Sequence, residues 1–412
     1  MKKSLEPVRG TSDYSPKEML VRERVRAEIL RTYKSYGFMQ ISTPVLEDID
    51  NLLSSDGGDN VKLIFKILKR GEKLDLSKPN LTEKDIVDIG LRYDLTVPLV
   101  RYYSKNMNSL PCPFKSIQVD YSFRADRPQR GRSRQFIQCD IDILGDPSIN
   151  AEIDIINTTA KTFCNLGFSD FVCKINDRRI LSDLTKYSGF KPEDEKDVCI
   201  VLDKLDKIGI DGVTEELKTR GYAVEIVNKL KNILADISNN GMEALNNYNV
   251  RPEVVSSIKE IIRVVNNLSA GEYKVVYDVS IVRGQGYYTG AVYEFYMPGF
   301  GGACAGGGRY DNMIEKMTGK SLPAVGLGLG FEPTCMLIAE KGNAISKNTM
   351  LACLYKPEDN FAEVLRFVEE IKDKMPTSAI AIKKNLNFQL QTLKNNGFTH
   401  FCIFKDKVIK QL

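Results

Sequence analysis

The chain has 412 residues, 42% hydrophobic and 27% charged, with a net charge of +4: an ordinary globular balance with room for two or three domains. It has no run of eighteen apolar residues and no apolar core behind the opening Met1-Lys-Lys, so neither a membrane span nor an export signal is expected, and a cytoplasmic location is. Nine cysteines, an odd number without a C-x-x-C pair, and a single histidine, His400, argue against a zinc site, a disulfide framework and a Cys/His nucleophile pair; most of the cysteines read as small buried hydrophobes.

In chain order, residues 18–36 read as an amphipathic helix closed by Gly37. Met39-Gln-Ile-Ser-Thr-Pro-Val-Leu alternates like a strand, but Pro44 lacks a ladder donor and puts that strand at an edge or an interface. Residues 61–68 and 115–123 are further strand candidates.

The densest signal follows. Arg124, Arg127, Arg130, Arg132 and Arg134 crowd eleven positions, with Pro128 and Gly131 among them. Guanidinium forks suit phosphate oxygens, and the Gly and Pro imply a loop between two strands; an exposed basic loop facing solvent or RNA is the plainer alternative. On the returning strand, alternation puts Gln135, Ile137, Cys139, Ile141 and Ile143 on one face and Arg134, Phe136, Gln138, Asp140 and Asp142 on the other. The second face offers a ring to stack a base, and an amide and carboxylates to bind an ammonium or imidazole group.

From about residue 178 to 267 glycine thins out and helical periodicity dominates, as in a helical insertion. Strand-like, glycine-rich sequence resumes at Tyr273. Val282-Arg283-Gly-Gln-Gly-Tyr287-Tyr288-Thr-Gly290 is no dinucleotide fingerprint, but an arginine at an apolar strand end needs an anionic partner. Gly306-Gly-Gly-Arg309-Tyr310-Asp311 is a third cluster. Thr318-Gly-Lys-Ser321 imitates the end of a P-loop and fails because Ile314 stands at the required earlier glycine. Gly326, Gly328 and Gly330 leave one strand face smooth, so that a backbone or flat ligand can approach closely. After a polar linker at 341–347, strand, helix, strand, helix and strand over 351–404 predict a small α/β domain. From Asn343 onward there are 11 basic and 7 acidic residues; such a tail fits an RNA partner or a solvated surface.

These clusters, in this order, resemble the histidine–tRNA ligases, which are class II aminoacyl-tRNA synthetases. Pro7 to Asp13 is similar to the family's amino-terminal signature, the helix and strand up to Pro44 to motif 1, and Arg92-Tyr-Asp-Leu-Thr-Val-Pro98 to the segment that holds the histidine ammonium. Residues 123–138 resemble motif 2, 282–290 and 306–311 the two histidine-specific motifs, and 324–332 motif 3. The resemblance implies an α+β fold: a class II synthetase-like antiparallel sheet flanked by helices, with a helical insertion and a small C-terminal α/β domain. The implied boundaries are a catalytic domain at 1–177 and 268–340, an insertion at 178–267, and a compact anticodon-binding-like domain at 348–412.

It also implies roles. Asp94, Thr96 and Gln138 hold the ammonium of L-histidine; Asp142 and Tyr288 read the imidazole, with Tyr287 beside them. Arg124 binds the ATP α-phosphate, Arg132 lies near the nucleotide, Phe136 stacks on adenine, and Asp126 shares their loop. Arg283 stabilises charge as the carboxylate attacks phosphorus. Magnesium (Mg2+) comes with ATP, histidine tRNA is the acceptor, and motif 1 implies a homodimer. The sequence departs from the family where Pro333 replaces a motif 3 arginine, where Gly286 replaces an aspartate, and in a short C-terminal domain. A second reading is a synthetase-like regulatory subunit of ATP phosphoribosyltransferase; the largely retained 283–290 motif favours the ligase.

Overall fold

A computed structural model describes residues 4–54, 58–283, 287–341 and 349–412. Its residues cluster into two compact units, one of Arg9–Thr11 and Arg26–Thr334, the other of residues 4–8, Ser12–Val25 and Cys335–Leu412.

The larger unit is built on an eight-stranded sheet. Its strands are β1 (Met39–Gln40), β2 (Phe114–Phe123), β3 (Gln135–Leu144), β4 (Phe171–Asp177), β5 (Tyr273–Tyr277), β6 (Ala291–Tyr296), β7 (Ala303–Arg309) and β8 (Ala324–Gly330). They lie in the order β1-β2-β3-β8-β7-β6-β4-β5, and only the two outermost pairs are parallel. The mixed α+β architecture and the central antiparallel sheet match the expectation. β2 and β3 are the long hairpin around the arginine loop, in register from Phe114↔Leu144 to Phe123↔Gln135. The helix Asn150–Asn165 buries Ile155, Ile156 and Phe163 and packs on β3 and β8; the helix Pro252–Ser269 packs on it and against β4 and β5. Between β4 and β5 lie five successive helices: Arg178–Ser188, Glu195–Leu202, Leu205–Thr219, Val224–Asn240 and Pro252–Ser269.

Two strand expectations change. β1 is an edge strand, as Pro44 requires, but it lasts only two residues. Beyond it the chain leaves the large sheet: the Arg92 guanidinium donates to the Thr43 carbonyl at 2.7 Å, and Leu46–Asp48 pairs antiparallel with Val87–Leu91 in a separate three-stranded sheet completed by Lys66–Leu68. Residues 61–63 end the short 3-10 helix Gly58–Leu63, and only Lys66–Leu68 forms a strand. There the Leu63 carbonyl accepts from the Ala125 N–H at 2.9 Å, and Ile64 turns into the core.

In the smaller unit Leu351–Tyr355 is the centre of three parallel strands, flanked by Thr377–Ala381 and His400–Ile403, with Lys410–Gln411 antiparallel at the edge. The helices Phe361–Ile371 and Leu386–Asn395 complete the α/β pattern. Val364, Phe367 and Phe404 pack with Leu351 and Cys353, and Leu393 packs with Ala352 and Leu354. The strand thus buries successive residues in two separate cores, as expected where helices cover both faces of a parallel sheet. Seven of the nine cysteines are buried, none in a disulfide.

Candidate active site

An open cleft lies over β3, β8 and β7. It is lined by nine of the residues singled out in the sequence: Asp94, Thr96, Arg124, Phe136, Gln138, Asp142, Arg283, Tyr287 and Tyr288. Asp126 and Arg132 do not line it. Arg132 is exposed in a turn where its backbone exchanges hydrogen bonds with Gln129 at 2.9 and 3.1 Å, and the Asp126 carbonyl accepts from Arg134 Nε at 3.2 Å.

Alternation along β3 brings Phe136, Gln138, Asp140 and Asp142 to the cleft. Phe136 lies under the Arg124 guanidinium, 5.1 Å from carbon to ring centroid, and Arg124 Nε donates to the Tyr93 carbonyl at 2.9 Å. The segment carrying Asp94 and Thr96 is pinned by Arg92, a fully buried cation. Arg92 Nε donates to the Tyr121 carbonyl at 2.8 Å, and Nη2 pairs with Asp120 at 3.0 Å. Asp94 then accepts from the Val97 N–H at 3.1 Å at the start of the helix Thr96–Asn106. The N-terminal signature reaches the arginine loop as well, for the Gly10 carbonyl accepts from the Arg134 N–H at 2.6 Å.

The far end of the cleft is acidic. Asp94, Asp140 and Asp142 are buried, and Asp94 Oδ2, Asp140 Oδ1 and Gln138 Oε1 have no hydrogen-bond partner among the described residues. Burial, followed by the charges of Asp142 and Asp94, pushes Asp140 well above the usual carboxylate range. Burial also pushes Asp142 up to about 7, against the pull of a hydrogen bond donated by the Tyr310 hydroxyl at 2.6 Å. Such acceptors suit a ligand that brings its own cation and N–H groups.

The smooth face of β8 has a specific occupant. In register, Gly326 faces Asp142 and Gly328 faces Asp140. A Cβ on Gly326 would lie 1.9 Å from Asp142 Oδ1, so the glycine is where it is to admit a carboxylate from the next strand. Close backbone approach, expected from the glycine spacing, also occurs: a Cβ on Gly307 would lie 2.0 Å from the Gly326 carbonyl oxygen.

The Tyr287 and Tyr288 rings lie 4.7 Å apart between centroids and are tilted by 54°, and Arg283 lies 5.9 Å from the Tyr288 ring centroid. Gly284 to Gly286, including the departure at Gly286, lie outside the described residues. Pro333 occupies the first turn of the helix Phe331–Glu340, a position that tolerates proline. Its ring would lie 3.8 Å from a Cβ on Gly131, which places residue 333 beside the arginine loop.

The family resemblance gives no individual role to Asp140, Tyr310 or Glu294. Asp140 stood on the correct face of β3, and Tyr310 in the glycine-rich cluster. Glu294 carried only the weak signal of an acid within an apolar strand.

The sequence profile of the family described as Histidyl-tRNA synthetase matches residues 10–333. This chain belongs to that family. It is 36% identical to the histidine–tRNA ligase of Leifsonia xyli over 98% of this chain and 96% of that protein, and 31% identical to that of Cytophaga hutchinsonii over 92% and 88%. The crystal structure of the histidyl-tRNA synthetase from Nostoc shares the fold, with a TM-score of 0.76 at 24% identity, covering 98% of this chain and 92% of that one. A Bacillus halodurans protein described as an ATP phosphoribosyltransferase regulatory subunit/histidyl-tRNA synthetase shares it too, with a TM-score of 0.77 at 18% identity over 95% and 97%. As a histidyl-tRNA synthetase family member the chain has a class II synthetase fold, and its cleft coincides with the motif 2 hairpin and motif 3 strand.

Proposed function

We infer that this chain is a histidine–tRNA ligase, which activates L-histidine with ATP as histidyl-adenylate and transfers it to histidine tRNA. The observation that carries the reading is the convergence of Arg124, Phe136, Gln138, Asp142, Arg283 and Tyr288 on one cleft in a chain of this family.

The chemistry follows from what faces the cleft. A substrate carboxylate is already a nucleophile, so the site needs position and charge compensation, with no side-chain nucleophile. Arg124 and Arg283 hold the α-phosphate while the histidine carboxylate oxygen attacks phosphorus and pyrophosphate leaves. Phe136 stacks on adenine. Asp94, Thr96 and Gln138 take the ammonium, and the unpartnered oxygens of Asp94 and Gln138 support that role. Asp142 and Tyr288 read the imidazole, with Tyr287 behind Tyr288. A site built to hydrogen-bond a ring N–H discriminates strongly against side chains that lack one. Asp126 and Arg132 take part only if the loop moves onto bound ATP. Magnesium enters as part of the nucleotide substrate.

The catalytic domain on this reading comprises 1–177 and 268–340, with the helical insertion at 178–267. The α/β domain at 348–412, which carries most of the positive surplus of the chain, contacts the tRNA. Exposed Met39 on the two-residue edge strand supports a homodimer through that edge. No helix among the described residues is long and apolar enough to cross a membrane, and a cytoplasmic location goes with tRNA charging. The 283–290 motif favours the ligase over a regulatory subunit. Charging of a histidine tRNA transcript with labelled histidine tests the reading; a folded protein that leaves the transcript uncharged contradicts it.

A further inference from the structure

Glu294 is a carboxylate in the middle of an apolar strand. Its neighbours along β6, Tyr293 and Phe295, are fully buried, and β6 is itself interior to the sheet, paired with β7 on one side and β4 on the other. An acid in that setting requires a partner. Across the ladders Glu294 faces Gly306 on β7 and Lys174 on β4. Lys174 pairs elsewhere, with Asp278 at 2.6 Å. The partner comes from the cleft: Arg283 Nη1 donates to Glu294 Oε1 at 2.6 Å. The Tyr296 hydroxyl donates to Oε2 at 2.6 Å and fixes the carboxylate from its other side.

Gly306 completes the seat. A Cβ there would lie 2.4 Å from Arg283 Nη1, so the guanidinium fills the space a side chain would take. Arg283 itself has φ +59, a left-handed backbone that non-glycine residues rarely adopt and that recurs at functional sites. Arg283 lines the cleft and Glu294 does not. An arginine has five donors and a flexible stem, and the ion pair occupies one donor while arresting the stem. Donors held in place before the reaction are the ones that stabilise developing charge.

We propose that Glu294 is a positioning residue, braced by Tyr296, that holds the Arg283 guanidinium where the α-phosphate reacts. The inference rests on the ligase reading above. A merely structural ion pair inside the sheet is the competing account, and the two differ in what they do to substrate binding and to Arg283.

Two measurements decide. In histidine-dependent ATP–pyrophosphate exchange, Glu294→Gln lowers kcat by ~10- to 100-fold, the usual cost of misplacing a reacting group through its support, and leaves the KM for histidine within about two-fold. Tyr296→Phe lowers kcat by a smaller factor. The second measurement is calorimetric binding of a non-hydrolysable sulfamoyl analogue of histidyl-adenylate to the wild type, Glu294→Gln, Arg283→Ala and the double variant. Glu294→Gln weakens binding in the wild-type background and has no further effect once Arg283 is gone. Equal losses in both backgrounds, an unchanged kcat, or parallel loss of kcat and histidine KM overturns the inference. Should Glu294→Gln fail to fold, Tyr296→Phe carries the same cycle. Wild-type protein without exchange overturns the ligase reading, and the binding cycle still decides the role of Glu294.

Discussion

Tyr310 and Asp142 stand 168 positions apart and meet in the cleft, the tyrosine hydroxyl donating to Asp142 Oδ1 at 2.6 Å. The bond lowers the proton affinity of a carboxyl that burial pushes up to about 7. Asp142 must be ionised to accept a ring N–H, so histidine affinity rises with pH through about 7. Tyr310→Phe removes the lowering influence and moves that inflection to higher pH. Histidine titration against both proteins from pH 6 to pH 9 checks this, because titration of free histidine is common to the two curves.

The buried carboxylates also destabilise the ligand-free protein. Burial holds Asp140 and Asp142 protonated above the ordinary carboxylate range, so the folded chain keeps protons that the unfolded chain releases. Their stability contribution is fully present below that ordinary range and is lost as pH rises through about 7 for Asp142. Asp140→Asn removes one member of the cluster. Its Tm should exceed that of the wild type by a few degrees at pH 8 and by less at pH 5, while its histidine affinity falls. Calorimetric scans and histidine titration at both pH values read the two effects.

Gly326→Ala tests the register that seats Asp142. The added carbon has 1.9 Å to Asp142 Oδ1, so β3 and β8 cannot keep their spacing with the carboxylate in place. Exchange activity should drop on the order of 100-fold, with histidine KM raised. Activity near the wild-type level would mean that Asp142 can turn away from β8 without loss of function.

Most of the cleft was legible because its signals are local. Alternation along β3 put Phe136, Gln138 and Asp142 on one surface, and the ordered motifs supplied Asp94, Arg124, Arg283 and Tyr288. What escaped depends on distant strands meeting. The glycines of β8 read as a bed for a flat ligand, and only the register with β3 shows that Asp142 and Asp140 lie there. Glu294 and Tyr310 gain meaning from partners on other segments. Residues 61–68 look like one strand by composition, yet Leu63 bonds to the arginine loop and Ile64 turns inward. Arg132 comes from the resemblance and Asp126 from membership of the same loop; neither lines the cleft.

Pro333 stands where the family places an arginine, beside Gly131 of the arginine loop. Pro333→Arg returns a cation there. The expected outcome is a kcat gain on the order of 10-fold or more in exchange, with a lower KM for ATP. No gain would show that another cation already serves the phosphates.

The central claim is that this cleft makes histidyl-adenylate, and histidine-dependent ATP–pyrophosphate exchange by the purified chain tests it most directly. The wild-type protein should show exchange that needs L-histidine, and Arg283→Ala should lose exchange while still binding histidine. Folded wild-type protein with no exchange above background would contradict it.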